Sequence, residues 1–194
     1  MRVNRKQEIL DAALNCFNAS GIAATSIEQI QKTSGASIGS IYHHFGSKDG
    51  IAFTLYVDGL RGYHQELMAG VAKATTAEKK IKTFVTIFLD WVETNPELAS
   101  YIFSARSYLI NSSKANEISE FHSANGKDTA LIISELAEKK QIKKMPSRLY
   151  TSLLVGSVQH FAQFLIKPES NQSFTKEKTV LAQAVWDSLA PESV

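Results

Sequence analysis

Apolar residues recur along this chain at the spacing of one helix face after another. Ile9, Ala12, Ala13, Cys16 and Phe17 fall at i, i+3, i+4, i+7 and i+8. That spacing predicts an amphipathic first helix, closed by Gly21. Ile27 and Ile30 give a short second helix an inner face, and Thr25-Ser26-Ile27-Glu28 reads as its capping box. Lys32-Thr33-Ser34-Gly35 ends it, because Gly35 can take a positive φ. Ser37 caps a third helix running to His44, and Ser47 caps a long fourth over 48–71.

The helical period continues beyond. Thr75-Thr76-Ala77-Glu78 is a second capping box, opening a helix to residue 94 with Ile81, Phe84, Val85, Phe88, Trp91 and Val92 inward. The four prolines, 96, 146, 168 and 191, sit where helices start or stop. Pro96 opens 97–110, Asn111-Ser112-Ser113 breaks the pattern, and 116–140 resumes it with a disturbance expected at Asn125-Gly126. Pro146 opens 147–166, residues 168–173 form a polar loop, and 175–189 is the last helix. Helix 147–166 is apolar almost all round, so it should be buried on more than one side. Val180, Leu181, Ala184, Val185, Ser188 and Leu189 form a stripe on the last helix. The two together are suited to dimerisation. Few segments look like strands, and there is no internal repeat, so the class is all-α.

Composition narrows the partners only a little. The 194 residues are 44% hydrophobic, enough for a sizeable core, with a net charge of +2. Residues 1–50 carry five Lys/Arg against four Asp/Glu, and three of the five are Arg2, Arg5 and Lys6. A nucleic-acid partner would have to be met by locally placed charge. Cys16 is the only cysteine, so no internal disulfide forms, and on an apolar face it reads as a small hydrophobe. No apolar leader follows Met1, and Gln159, His160 and Gln163 interrupt the most apolar stretch. The expected location is the cytoplasm.

The third helix carries the chemistry. Ile41 and Phe45 share one face with Ile38 beside them, whereas Gly39, Ser40 and His43 point the other way and Tyr42 and His44 lie on the flanks. A glycine inside a helix costs about 1 kcal/mol relative to alanine. Close approach of a ligand to the backbone would offset that. Two short helices joined by a glycine turn, the second exposing polar side chains, follow helix-turn-helix logic, with the second helix entering the DNA major groove. Lys48 sets a cation beside a helix N-terminus, which is disfavoured unless an anion such as phosphate joins it. The same residues also suit a packed helical hairpin with incidental glycine and histidines. Adjacent His43 and His44 point about 100° apart, unlike the i, i+4 pairs that clamp zinc, so neither a metal nor another cofactor is expected. No G-x-S-x-G, Walker loop or paired carboxylates suggest an enzyme.

The run Gly21…Thr25-Ser26-Ile27…Ile30…Ser34-Gly35-Ala36-Ser37, then Gly39-Ser40-Ile41-Tyr42-His43-His44-Phe45 and Ser47-Lys48, resembles the DNA-binding domain of TetR/AcrR-type transcriptional regulators over roughly residues 5–55. The resemblance implies a three-helix DNA-binding domain at 1–50, joined by a long helix to a helical ligand-binding and dimerisation domain within 51–194. It implies that Tyr42, His44 and Lys48 grip phosphates, with Tyr42 near a thymine methyl as well. Ser40 contacts a phosphate or base, Ser26 a phosphate, and Ile38 and His43 read bases, with Ser37 and Gly39 at the same surface. Two positions depart from the family pattern: Ile38 is apolar where relatives place polar readers, and Gln31 replaces a common alanine. The family is homodimeric through an intersubunit bundle of the last two helices, and an effector usually relieves repression. Pocket candidates are Trp91, Tyr101, Phe103, Arg106, Phe121, Gln159, His160, Phe161 and Phe164, large aromatics and polar groups in apolar stretches. The implied function is a repressor released from a two-fold symmetric operator by a small molecule. The alternative is a DNA-tethered assembly factor whose C-terminal domain binds another protein.

Overall fold

The computed structural model describes residues 4–166 and 174–191. Arg2 and the polar stretch 168–173 lie outside the described residues. Every regular element among those described is helical: α1 (Arg5–Ala24), α2 (Ile27–Ser34), α3 (Ile38–Phe45), α4 (Lys48–Lys73), α5 (Ala77–Thr94), α6 (Pro96–Leu109), α7 (Ala115–Glu138), α8 (Ser147–Thr151), a π-helical turn (Ser152–Gly156), α9 (Ser157–Leu165) and α10 (Thr175–Leu189). The all-α class read from the periodicity is the class the chain adopts.

The helices group into two compact units. The first holds α1 to α3, α4 as far as Arg61, and Glu97–His122. The second holds Gly62–Pro96 and the chain from Ser123 onward. The sequence places a division at residue 50; by packing, the start of α4 and parts of α6 and α7 group with the first unit. Tyr101 shows why. It is fully buried, stacks on Phe17 with ring centroids 5.7 Å apart, and donates its hydroxyl proton to Ala52 O at 2.7 Å.

In the first unit α1 buries Ile9, Ala12, Ala13 and Phe17, while α2 and α3 bury Ile30 and Ile41. A fully buried isoleucine contributes about 1.5–3 kcal/mol, so a few of them anchor helices this short. Cys16 is half-buried at the edge of the stripe. The first capping box sits one residue later than the spacing suggested. Ser26 Oγ accepts from Gln29 N at 3.2 Å, and Gln29 Oε1 accepts from Ser26 N at 2.7 Å. The shift has a cause: α1 kinks at Gly21 (φ 78°) and runs on to Ala24, so Thr25 closes α1, buried, with Oγ1 2.8 Å from Gly21 O. The second is a single cap and not a box: Thr76 accepts from Lys79 N, and the lysine at that position has no acceptor to return the bond. Gly35 adopts the left-handed conformation at φ 64°, which lets the chain turn at once from α2 toward α3.

In the second unit α5 packs on α9 and α10. Leu89 is buried there, and Phe88, expected inward, is half-buried. Lys178 of α10 is only 9% exposed and donates to both Asp90 Oδ1 and Glu93 Oε2 of α5. α7 passes through Asn125-Gly126 unbroken. The helix after Pro146 is not uniform, because its middle widens into the π turn. Nor is it buried all round: Leu154, Val158 and Ala162 are buried, whereas Leu149, Val155 and Phe164 are exposed. The α10 stripe also divides, with Val185 and Leu189 in the core and Val180 60% exposed.

Candidate nucleic-acid interface

α3 is built as an exposed helix with one anchored side. Ser37 starts it, its Oγ accepting from Ser40 N at 3.1 Å. Ile41 is buried and Phe45 half-buried, which fixes the rotation of the helix about its axis. Ser37, Ile38, Gly39, Tyr42, His43 and His44 are exposed, and Ser40 is half-buried. Tyr42 leaves 49% of its surface in solvent and Ile38 leaves 38%. Ile38 therefore stands outward, available to an apolar group such as a thymine methyl. A Cβ built on Gly39 would meet nothing within 4 Å, so packing inside the protein does not require glycine there. The empty space lies outside the molecule, as an incoming backbone or base edge needs.

The flanking residues are half-buried and already employed. Ser26 caps α2 through its oxygen, and its hydroxyl also hydrogen-bonds the Glu28 carboxylate. Lys48 Nζ donates to Ala23 O at 3.0 Å and Thr25 O at 2.7 Å. The negative partner that a cation at a helix N-terminus demands is thus supplied by two carbonyls at the α1–α2 junction. An ammonium has three donors, so one remains for a phosphate.

The nine pocket candidates divide between the units: Tyr101, Phe103, Arg106 and Phe121 lie in the first, and Trp91, Gln159, His160, Phe161 and Phe164 in the second. Tyr101 is core, its hydroxyl taken by Ala52 O. Gln159 and His160 are exposed, because the buried side of α9 is defined by Val158, Ala162 and Leu165. Phe161 and Phe164 lie 6.2 Å apart by ring centroids, with Phe164 exposed. Phe103 and Phe121 are half-buried and Arg106 is exposed. Arg106 nonetheless acts on a polar pair in the first unit, Tyr56 Oη and His122 Nε2, 2.9 Å apart. Burial pushes Tyr56 up to about 12 against the pull of Arg106, and burial followed by Arg106 holds His122 below its ordinary value. In the second unit a shallow groove of about 260 Å³ is lined by Glu66, Ile87, Asp90, Trp91, Thr94 and Asn95. Trp91 alone of the candidates lines it. The polar lining was missed because Glu66, Asp90 and Thr94 sit on exposed helix positions and Asn95 at the end of α5, with nothing in their spacing to distinguish them.

Among the described residues no group of three His, Cys, Asp or Glu side chains could hold a metal ion, and no helix is long and apolar enough to cross a membrane.

An exposed helix anchored on one side, entered through a glycine turn and flanked by hydroxyls and an ammonium, fits a helix-turn-helix DNA-binding transcriptional regulator. Residues 9–55 match the model of the bacterial regulatory proteins of the tetR family. The chain is 24% identical over 143 residues to a probable HTH-type transcriptional regulator, YttP, of Bacillus subtilis, covering 73% of this chain and 68% of that one. It is 34% identical over 83 residues to the HTH-type transcriptional repressor KstR2 of Rhodococcus jostii, covering 41% of each, so it spans less than half the length of that relative. Its fold is similar to that of the transcriptional regulator FadR from Bacillus subtilis, solved in complex with stearoyl-CoA, with a TM-score of 0.76, 16% identity, and coverage of 94% and 98%. Over residues 9–55 the chain is thus similar to the TetR family of bacterial regulatory proteins, and over nearly its whole length it shares the fold of a transcriptional regulator.

Proposed function

We propose that this protein is a cytoplasmic repressor that binds a two-fold symmetric operator as a homodimer and leaves it when a small molecule occupies the C-terminal domain. The outward face of α3 carries the reading. Ile38 and His43 read base edges, Gly39 allows the approach, and Ser26, Ser37, Ser40, Tyr42, His44 and Lys48 hold phosphates. One head has few cations, so counterion release gives it modest affinity. Two heads set about 34–36 Å apart, one helical turn, would meet successive major grooves. The exposed Leu149, Val155 and Val180 on the last helices support a face shared with a second copy. KstR2 is a repressor by name and FadR was solved with an acyl-CoA, which supports repression and a small-molecule effector here.

A protein-binding C-terminal domain is the second reading. The groove in the second unit is shallow, and Leu131 on α7, outside the last helices, is 68% exposed. Selection of bound sequences from a random DNA pool tests the main reading. A two-fold symmetric site is the expected result, and an enriched site without symmetry would remove the dimer from the proposal.

A further inference from the structure

The first turn of α4 ties together parts of the chain that are far apart in sequence. Asp49 Oδ1 accepts from Tyr108 Oη at 2.7 Å, and Oδ2 accepts from Ser113 Oγ at 2.7 Å and Ser113 N at 3.1 Å. These donors stand at the end of α6 and in the turn that follows it. The residue before, Lys48, donates to the carbonyls of Ala23 and Thr25, where α1 ends and the chain turns toward α2. Consecutive side chains on a helix diverge by about 100°, so the pair reaches two different neighbours from one turn. Lys114, just past Ser113, sets its ammonium 5.8 Å from the centre of the Phe53 ring, a second tie between the α6–α7 turn and α4.

An acidic residue in a first helical turn has a plain role, which is to complement the helix dipole. That role needs no partner. Here both carboxylate oxygens are filled by groups 59 and 64 residues away. We infer that Asp49 is a positioning residue: it fixes the first turn of α4 on the α6–α7 turn, and through Lys48 that turn fixes the α1–α2 junction, so the placement of α2 and α3 depends on residues 108–113. This inference goes beyond the DNA-binding reading and borrows from it only the DNA used in the test.

Electrostatics and positioning predict opposite signs. Removing a negative charge from a domain that meets a polyanion should tighten binding. Asp49→Asn keeps the size of the side chain but sets an NH2 against one of the donor groups. Positioning therefore predicts weaker binding, roughly tenfold, the scale of losing one or two hydrogen bonds to a charged group. Tyr108→Phe changes no charge and removes one bond, so it should weaken binding in the same direction by a smaller factor. Both variants of the full chain would be titrated on DNA selected by the wild type, with salt slope and base preference measured. Amide hydrogen exchange of residues 27–45 in the free proteins would be followed in parallel. The expected result is weaker binding with unchanged slope and base preference, and faster exchange in 27–45 at unchanged exchange in α5 and α10. Equal or tighter binding by Asp49→Asn, or exchange in 27–45 equal to the wild type, overturns the inference. If Asp49→Asn does not fold, Tyr108→Phe decides by the same criteria. If the wild type selects no DNA, the DNA-binding reading fails and the exchange data alone decide the role of Asp49.

Discussion

Gly39 has no internal reason to be glycine, since nothing in the protein stands near the space a side chain would fill. Gly39→Arg should therefore fold normally, with a melting temperature close to the wild type, and lose DNA binding. Retained affinity in a gel-shift titration would contradict the close approach assigned to this position. His43→Ala should change preference at one or two base pairs, by about 1–3 kcal/mol there, read by repeating the selection. Lys48→Ala should weaken binding to all sequences alike and reduce the salt slope by roughly one phosphate. The carbonyl contacts add a second effect, a lower melting temperature, because Ala23 O and Thr25 O lose their donor. The outward residues of α3 were legible because phase on a helix follows from the positions of Ile41 and Phe45. The inward duty of Lys48 was not, since its acceptors lie 25 and 23 residues away.

Helices as short as α2 and α3 depend on their ends. Ser37→Ala should cost about 1 kcal/mol, the usual loss for a hydroxyl cap, measurable by denaturant unfolding. The caps were legible to within one residue. Thr25 and Ser26 are both capping types, and only the extra turn of α1 beyond Gly21 decides which of them starts α2. The π turn after Pro146 was not legible, because one residue of extra winding leaves the apolar pattern nearly unchanged. At the start of α4, burial pushes the Asp49 carboxyl up, but hydrogen bonds from Ser113 Oγ, Tyr108 Oη and Ser113 N, with the charge of Lys48, outweigh it and hold the group below its usual range. A carboxyl lowered on folding adds stability above its unfolded value, about 3.9, and loses it as pH falls through the lower folded value. The stability gap between wild type and Asp49→Asn should thus be full near neutrality and close below about pH 4, followed by unfolding at a series of pH values.

At the level of the whole chain, period 3.6 was enough to specify an all-helical protein, because most large apolar positions among the described residues fall on one buried face of their helix. The pocket was beyond reach for a related reason. An aromatic at helical spacing is the same letter whether it fills the core, as Tyr101 does, or stands in solvent, as Phe164 does. The exposed apolar positions of the last helices carry the proposal of a homodimer. Val180→Glu should turn that dimer into monomers in sedimentation and weaken operator binding by the loss of the second head, with helicity unchanged.

The ammonium of Lys178, seated between two carboxylates of α5, has a consequence for such an assembly. It acts as a key against rotation, so the last helix cannot roll about its own axis without breaking both ion pairs. The side bearing Val180 is then cast in the lone subunit, before any mate arrives. In the proposed dimer, two subunits would then need only to find the right orientation, with little freedom left to lose when their faces close.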